Sequence, residues 1–208
     1  MTLAAASSER IWKILIVFLV FSTALGDMAN INFLSMELYR GPDRGFEVNL
    51  TDLICIALTL TLIFKHHTEL KLWPKNTGIM SLIFLISLVS ILNADQPILS
   101  LFTLFKMAKF YLLFWCLSNH IHCGKGKNEV IAGFIMSGLF VAILAIQQKY
   151  IHGIYRVHGP FDHSNTIPLY LNMFAPVLLA WLMTTENIQR WQLLIGLLSV
   201  LGMTFAVV

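Results

Sequence analysis

Between two long apolar runs, residues 156–165 bring together Arg156, His158, Gly159, Pro160, Asp162, His163, Ser164 and Asn165, with His152 just upstream. A guanidinium stays charged at any working pH, and its planar fork matches phosphate oxygens two at a time. Imidazole exchanges protons near neutrality, so His158 and His163 are candidate bases, and Arg156 and His163 are taken as the catalytic residues. The Gly159-Pro160 step forces a turn, and Ser164 or Asn165 is placed to cap the next helix. Pro168 costs that helix no hydrogen bond in its first turn, where the amides lack intrahelical partners anyway. An Arg beside a helix N-terminus is an anion site, which makes Arg156, Gly159 and Asn165 candidate substrate-binding residues. The plain alternative is an Arg156 side chain that only reaches up to lipid headgroups. His152, His158, Asp162 and His163 match no strong zinc spacing, so neither a metal nor a cofactor is expected.

The elements that carry this segment are membrane spans. Hydrophobic residues make up 57% of the 208, and charged ones only 12%. With a mean hydropathy of +0.75, a soluble domain of this length has no interior large enough to hide them. The expected fold is all-α, a polytopic bundle in a single membrane domain over 1–208, with about seven spans at 11–26, 48–64, 77–92, 97–118, 129–148, 165–183 and 191–208. No barrel-like alternation is present, so helices are the spanning element. Arg10 and Lys13 ahead of the apolar core of the first run, with Ala24-Leu25-Gly26 at its end, resemble a signal peptide, but the further spans favour an uncleaved anchor.

Orientation is set by the short loops. The N-terminus and even-numbered loops hold eight cations (Arg10, Lys13, Lys65, Lys71, Lys75, Lys125, Lys127, Arg190), and the odd-numbered loops hold four (Arg40, Arg44, Lys149, Arg156). That bias places the N-terminus in the cytoplasm and the Arg156 loop outside. The net charge of +3 mostly reflects this excess and implies no nucleic-acid partner. Cys55 and Cys116 fall in apolar runs and Cys123 in a cytoplasmic loop, so no disulfide framework is implied. Asn49-Leu-Thr51 matches a glycosylation acceptor but abuts a span. The small loop with His120, His122 and Cys123 is a weak metal match, and its side chains are expected to be solvated.

The longest loop, 27–46, carries Arg40-Gly-Pro-Asp-Arg-Gly45, whose turn chemistry folds it back on the membrane surface. Asp52 then stands at the start of the second span, where a carboxylate favours a helix N-terminus. Lys106 and Lys109 lie three apart on one face of the fourth run, and charges at that depth point to a pathway or a partner. They are the remaining substrate-binding candidates. Pro176 in mid-span is expected to kink the sixth helix and open a groove. The chain stops at Val208 inside an apolar run without a capping or charged residue, which is expected of a truncated helix.

The pattern Arg156-x-x-Gly159-x-Phe161-x-His163-x-Asn165 before a mid-chain span resembles the motif of the O-antigen ligase and O-antigen polymerase superfamily. The segment from Asp43 to Asp52 also looks like members of that group. The resemblance implies an enzyme of the bacterial inner membrane that takes a glycan from an undecaprenyl-diphosphate carrier on the periplasmic face. A ligase hands it to a lipid A core sugar, and a polymerase to another carrier-linked repeat. Arg156 matches the family arginine thought to meet the diphosphate. Ser164 stands where the family usually has proline, and the large periplasmic loop of longer members, with a histidine proposed as base, and their Ser-Arg-Gly element are not in this chain, which is expected to be an N-terminal half. The alternatives from the residues alone are a transporter or channel component, for which Lys106, Lys109 and the two prolines speak, and an inert scaffold.

Overall fold

The computed structural model describes residues 3–25, 30–34, 45–66, 68–123, 126–161 and 163–184. The chain is mostly helical, with α1 (Leu3–Ser22), α2 (Leu50–His66), α3 (Thr77–Ser90), α4 (Pro97–His122), α5 (Lys127–Ile146) and α6 (Thr166–Thr184). Among the described residues, three helical stretches are long and apolar enough to cross a membrane: Pro97–His122, Lys127–Ile151 and Thr166–Thr184. Thr77–Asn93 is a shorter apolar helix. The run at 191–208 lies outside the described residues, as does the turn at 40–44.

Two compact units emerge, Asn30–Lys127 on the one hand and Met1–Ala29 with Asn128–Val208 on the other. In the first, α2 and α3 each pack on α4. Asn119 holds the segment between α2 and α3 against α4, accepting from the Lys71 amide at 2.8 Å and donating to its carbonyl at 3.2 Å. Many large apolar side chains of α3 face outward, Ile79, Leu82, Ile86 and Val89 among them. An outer surface of that kind suits hydrocarbon rather than water.

The all-α reading fails in the first long loop. Asn30–Phe33 (β1) and Phe46–Asn49 (β2) form a two-stranded antiparallel pair, with Asn30 opposite Asn49 and Phe33 opposite Phe46. Alternating polar and apolar residues (Asn-Ile-Asn-Phe against Phe-Glu-Val-Asn) make the pairing possible, and Phe46 fastens it to α4 by edge-to-face contacts with Phe102 and Phe105. A second correction concerns His120 and His122. Both belong to the last turn of α4, which runs past the expected end at 118, and His120 is fully buried.

In the other unit, Gly133 of α5 meets α1. A Cβ there would sit 2.6 Å from Val20 Cβ and 2.9 Å from the Val17 carbonyl oxygen, so only glycine lets the two backbones come this close. The Thr23 and Tyr170 hydroxyls lie 2.9 Å apart and join the end of α1 to α6. Ala24, Val141, Phe161, Ile167, Leu171 and Leu178 fill the core between them.

Candidate functional site

The last turns of α5 build the floor of the site. Residues Gln147–Ile151 close a wider, π-type turn in place of regular α-helix, with the His152 amide on the Gln147 carbonyl at 3.2 Å and the Ile154 amide on the Gln148 carbonyl at 3.0 Å. A π-turn inserts a residue into the helical ladder and rotates the chain beyond it. Gln148 thereby reaches residues ten and eleven places on. Its Oε1 accepts from the His158 amide at 3.2 Å and the Gly159 amide at 2.8 Å. Its Nε2 donates to the Gly159 carbonyl at 3.0 Å.

Gly159 is buried and adopts φ +60°, a left-handed conformation that glycine takes without steric cost. A Cβ there would also press on Ile167 Cδ1 at 3.1 Å. The expected substrate contact of Gly159 is therefore accompanied by a clear backbone role. The Phe161 amide bonds the His158 carbonyl at 3.1 Å to close the turn, and the Phe161 ring packs on Tyr170. These contacts anchor one end of the segment to α6 and the other to α5.

Arg156, His158, His163, Ser164 and Asn165 line one polar cleft of about 310 Å³ at the start of α6. Four of the five are exposed, and Ser164 is half-buried. The structure thus brings Arg156, His163 and Asn165 together, with Gly159 supporting them. Asn165 Oδ1, which the sequence offers as a helix cap, accepts from Arg156 Nη2 at 3.3 Å. That bond uses one of the guanidinium's five donors, and among the described residues the others take no partner. A planar cation held from one side and open on the other can bind an oxyanion by two parallel hydrogen bonds. The first-turn amides of α6 add a positive dipole end. Asp162 lies outside the described residues. Among those described, no group of three or more His, Cys, Asp or Glu is arranged to hold a metal ion.

Lys106 and Lys109 belong to the other unit and do not line this cleft. Lys109 Nζ lies 2.7 Å from Asp52 Oδ2 and 2.6 Å from the Glu47 carbonyl, and Lys106 Nζ lies 3.3 Å from Glu47 Oε2. Asp52 Oδ2 also accepts the Asn49 amide at 2.8 Å, so it both caps the entry to α2 and neutralises α4. Internal pairing of this kind satisfies charges at membrane depth without a transported solute. The larger hollow of the same unit, about 610 Å³ between α3 and α4, is lined by Met80, Phe84, Met107, Phe110 and Tyr111 among others. Its walls suit hydrocarbon and offer little acid–base chemistry.

Gln148 is the residue that sequence reasoning missed. A glutamine at the expected end of a span carries no motif, and only the π-turn aims it at the Arg156 loop. Replacing it with alanine removes three hydrogen bonds, each worth about 1 kcal/mol net. Amide exchange at His158 and Gly159 is expected to accelerate about tenfold or more, measured by deuterium uptake in nanodiscs, with α6 protection unchanged. Unaltered exchange at these two amides would show that Gln148 does not hold the turn.

No family model, no curated protein and no solved structure matches this chain.

Proposed function

We propose that this chain serves glycan transfer from an undecaprenyl-diphosphate carrier, in the manner of an O-antigen ligase or polymerase, with the Arg156 cleft as the place where the carrier's diphosphate is held. The carrying observation is the pairing of Arg156 with Asn165 in a polar cleft at the N-terminus of an apolar, membrane-length helix. Breaking the bond between sugar and carrier puts negative charge on the departing diphosphate. A preorganised guanidinium and helix-end amides stabilise charge that grows there in the transition state.

In this reading the chain crosses the bacterial inner membrane about seven times, with its N-terminus in the cytoplasm and the cleft on the periplasmic side. The supports are the excess of Lys and Arg in the N-terminus and even-numbered loops, and the apolar length of Lys127–Ile151, which is enough to separate its two ends by a membrane. The partners are membrane lipids, the carrier-linked glycan, and a lipid A core sugar or a second carrier-linked repeat as acceptor.

The test is binding by the chain in nanodiscs. Undecaprenyl diphosphate is expected to bind at least about tenfold more tightly than undecaprenol, which has the same isoprenoid tail without the anion; the difference corresponds to about 1.4 kcal/mol, less than one charge-assisted hydrogen bond can supply. Equal affinity for the two lipids would mean that the cleft does not read the diphosphate.

A further inference from the structure

The connection between α2 and α3 carries a short tip, Lys71-Leu72-Trp73-Pro74-Lys75, whose backbone is fixed on both sides. On one side Lys71 is clamped to Asn119 of α4: its amide donates to Oδ1 at 2.8 Å, and its carbonyl accepts from Nδ2 at 3.2 Å. On the other, the Thr77 amide donates to the Pro74 carbonyl at 3.2 Å, and Pro74 and Thr77 are both buried. Between these fixed points Leu72 and Trp73 stand outward, 74% and 70% exposed. Lys71 and Lys75 flank the apolar pair and are exposed too. From 70 to 76 these two lysines carry all the charge, with Glu69 ahead of them. Asn119, fully buried, lies in the last turn of α4, a helix of membrane length that ends at His122. The clamp therefore holds the tip at the level where α4 meets the headgroup layer.

We infer that the tip at 71–75 is a docking surface for anionic phospholipid, with Leu72 and Trp73 set into the headgroup region and the two ammonium groups against negatively charged headgroups. An indole is amphipathic and favours the boundary between hydrocarbon and water. Lysine stems lie along apolar surface while their ammonium groups reach the polar layer. Level and aromatic character suit any bilayer, but the charge selects: each lysine close to an anionic surface favours it about fivefold. Asn119 is a positioning residue here, which gives a fully buried amide in an apolar helix a task. The inference needs only a membrane-embedded α4 and stands independently of the glycan-transfer reading.

The test is quenching of Trp73 fluorescence in the full chain, reconstituted in phosphatidylcholine vesicles with a minor share of phosphatidylglycerol. In one preparation the phosphatidylglycerol is brominated, and in the other an equal share of the phosphatidylcholine is. Subtracting the signal of Trp73→Phe isolates Trp73 from the other tryptophans. Bromines near the headgroup end of the acyl chains are expected to quench Trp73 more than bromines near the chain ends. Brominated phosphatidylglycerol is expected to quench at least about fivefold more per lipid than brominated phosphatidylcholine. In the variant combining Lys71→Gln and Lys75→Gln that preference is expected to vanish, while the clamp to Asn119, which uses only the backbone of Lys71, stays in place. Equal quenching by the two lipids in wild type, or an unchanged preference in the double variant, would overturn the assignment. Absence of quenching by either lipid would overturn it too, since the tip would then face water, a second copy of the chain or another protein.

Discussion

Replacing Arg156 with alanine is expected to slow glycan transfer about a hundredfold, and replacing it with lysine about tenfold, because the two changes remove different things. In the proposed reading alanine removes the guanidinium's charge and all of its donors, and loss of one preorganised donor to a developing oxyanion is worth about a hundredfold to a thousandfold in rate. Lysine keeps the charge but presents a compact ammonium without the planar fork, so two parallel bonds become one. It also loses the geometry in which Asn165 Oδ1 accepts from Nη2 at 3.3 Å and steadies the guanidinium. The checking measurement is the rate of labelled glycan transfer in cells carrying each substitution in the chromosomal gene, with the variant's membrane abundance held equal. An Arg156 that only reaches to lipid headgroups gives another result: lysine would serve as well as arginine, since both place a cation at that level. Wild-type transfer in the alanine variant would remove the cleft from the reaction altogether.

The second large effect belongs to the charge network of α2, β2 and α4. Lys109 and Asp52 are only 18% and 17% exposed at their side chains, and their contact at 2.7 Å is shared with the Glu47 carbonyl, with Asn49 Oδ1 at 3.4 Å, and with the Phe105 ring, 5.5 Å from Nζ. Removing one partner leaves a nearly buried charge against neutral groups. Asp52→Ala is therefore expected to cost about 3 kcal/mol of stability, whereas Asp52→Ala combined with Lys109→Met costs much less than the two single changes added together. Denaturant titration in detergent micelles measures the cycle. The same variants separate two uses of the lysines. If the pair is structural, folded Lys109→Met protein retains carrier binding and glycan transfer. If Lys106 and Lys109 bind a substrate directly, as their depth in an apolar run suggests, a variant that folds normally loses activity.

Local chemistry was legible in the chain where neighbours in sequence are neighbours in space. Thr77 and Pro97 open helices at the residues where the apolar runs begin, and Asp52 sits at a helix start whose Asn49 amide it accepts. Arg156 and Asn165 share a cleft because one turn brings positions nine apart together. What was not legible depends on distant contacts. Glu47 and Lys106 are far apart in the chain, and nothing in either segment announces the other. The β1–β2 pair needed both ends of a long loop to be matched in register, and each strand is only four residues long. His120 looked like a loop residue because the apolar run fades at 118, yet burial in the last turn of α4 comes from packing rather than from hydropathy. Gln148 depends on a π-turn, whose inserted residue breaks the ordinary helical spacing on which side-chain direction is judged.

The central claim, an arginine at the outer membrane boundary that grips an anionic lipid headgroup, is tested most directly by labelling Arg156→Cys with a membrane-impermeant maleimide in cells whose outer membrane has been permeabilised. Cys123, half-buried and joined to position 156 through the membrane-length stretch Lys127–Ile151, serves as the internal control, while Cys55 and Cys116 are buried. The prediction is rapid modification at 156 in intact spheroplasts, with Cys123 reacting only after the inner membrane is disrupted. Modification of Cys123 in intact spheroplasts while position 156 stays protected would contradict it.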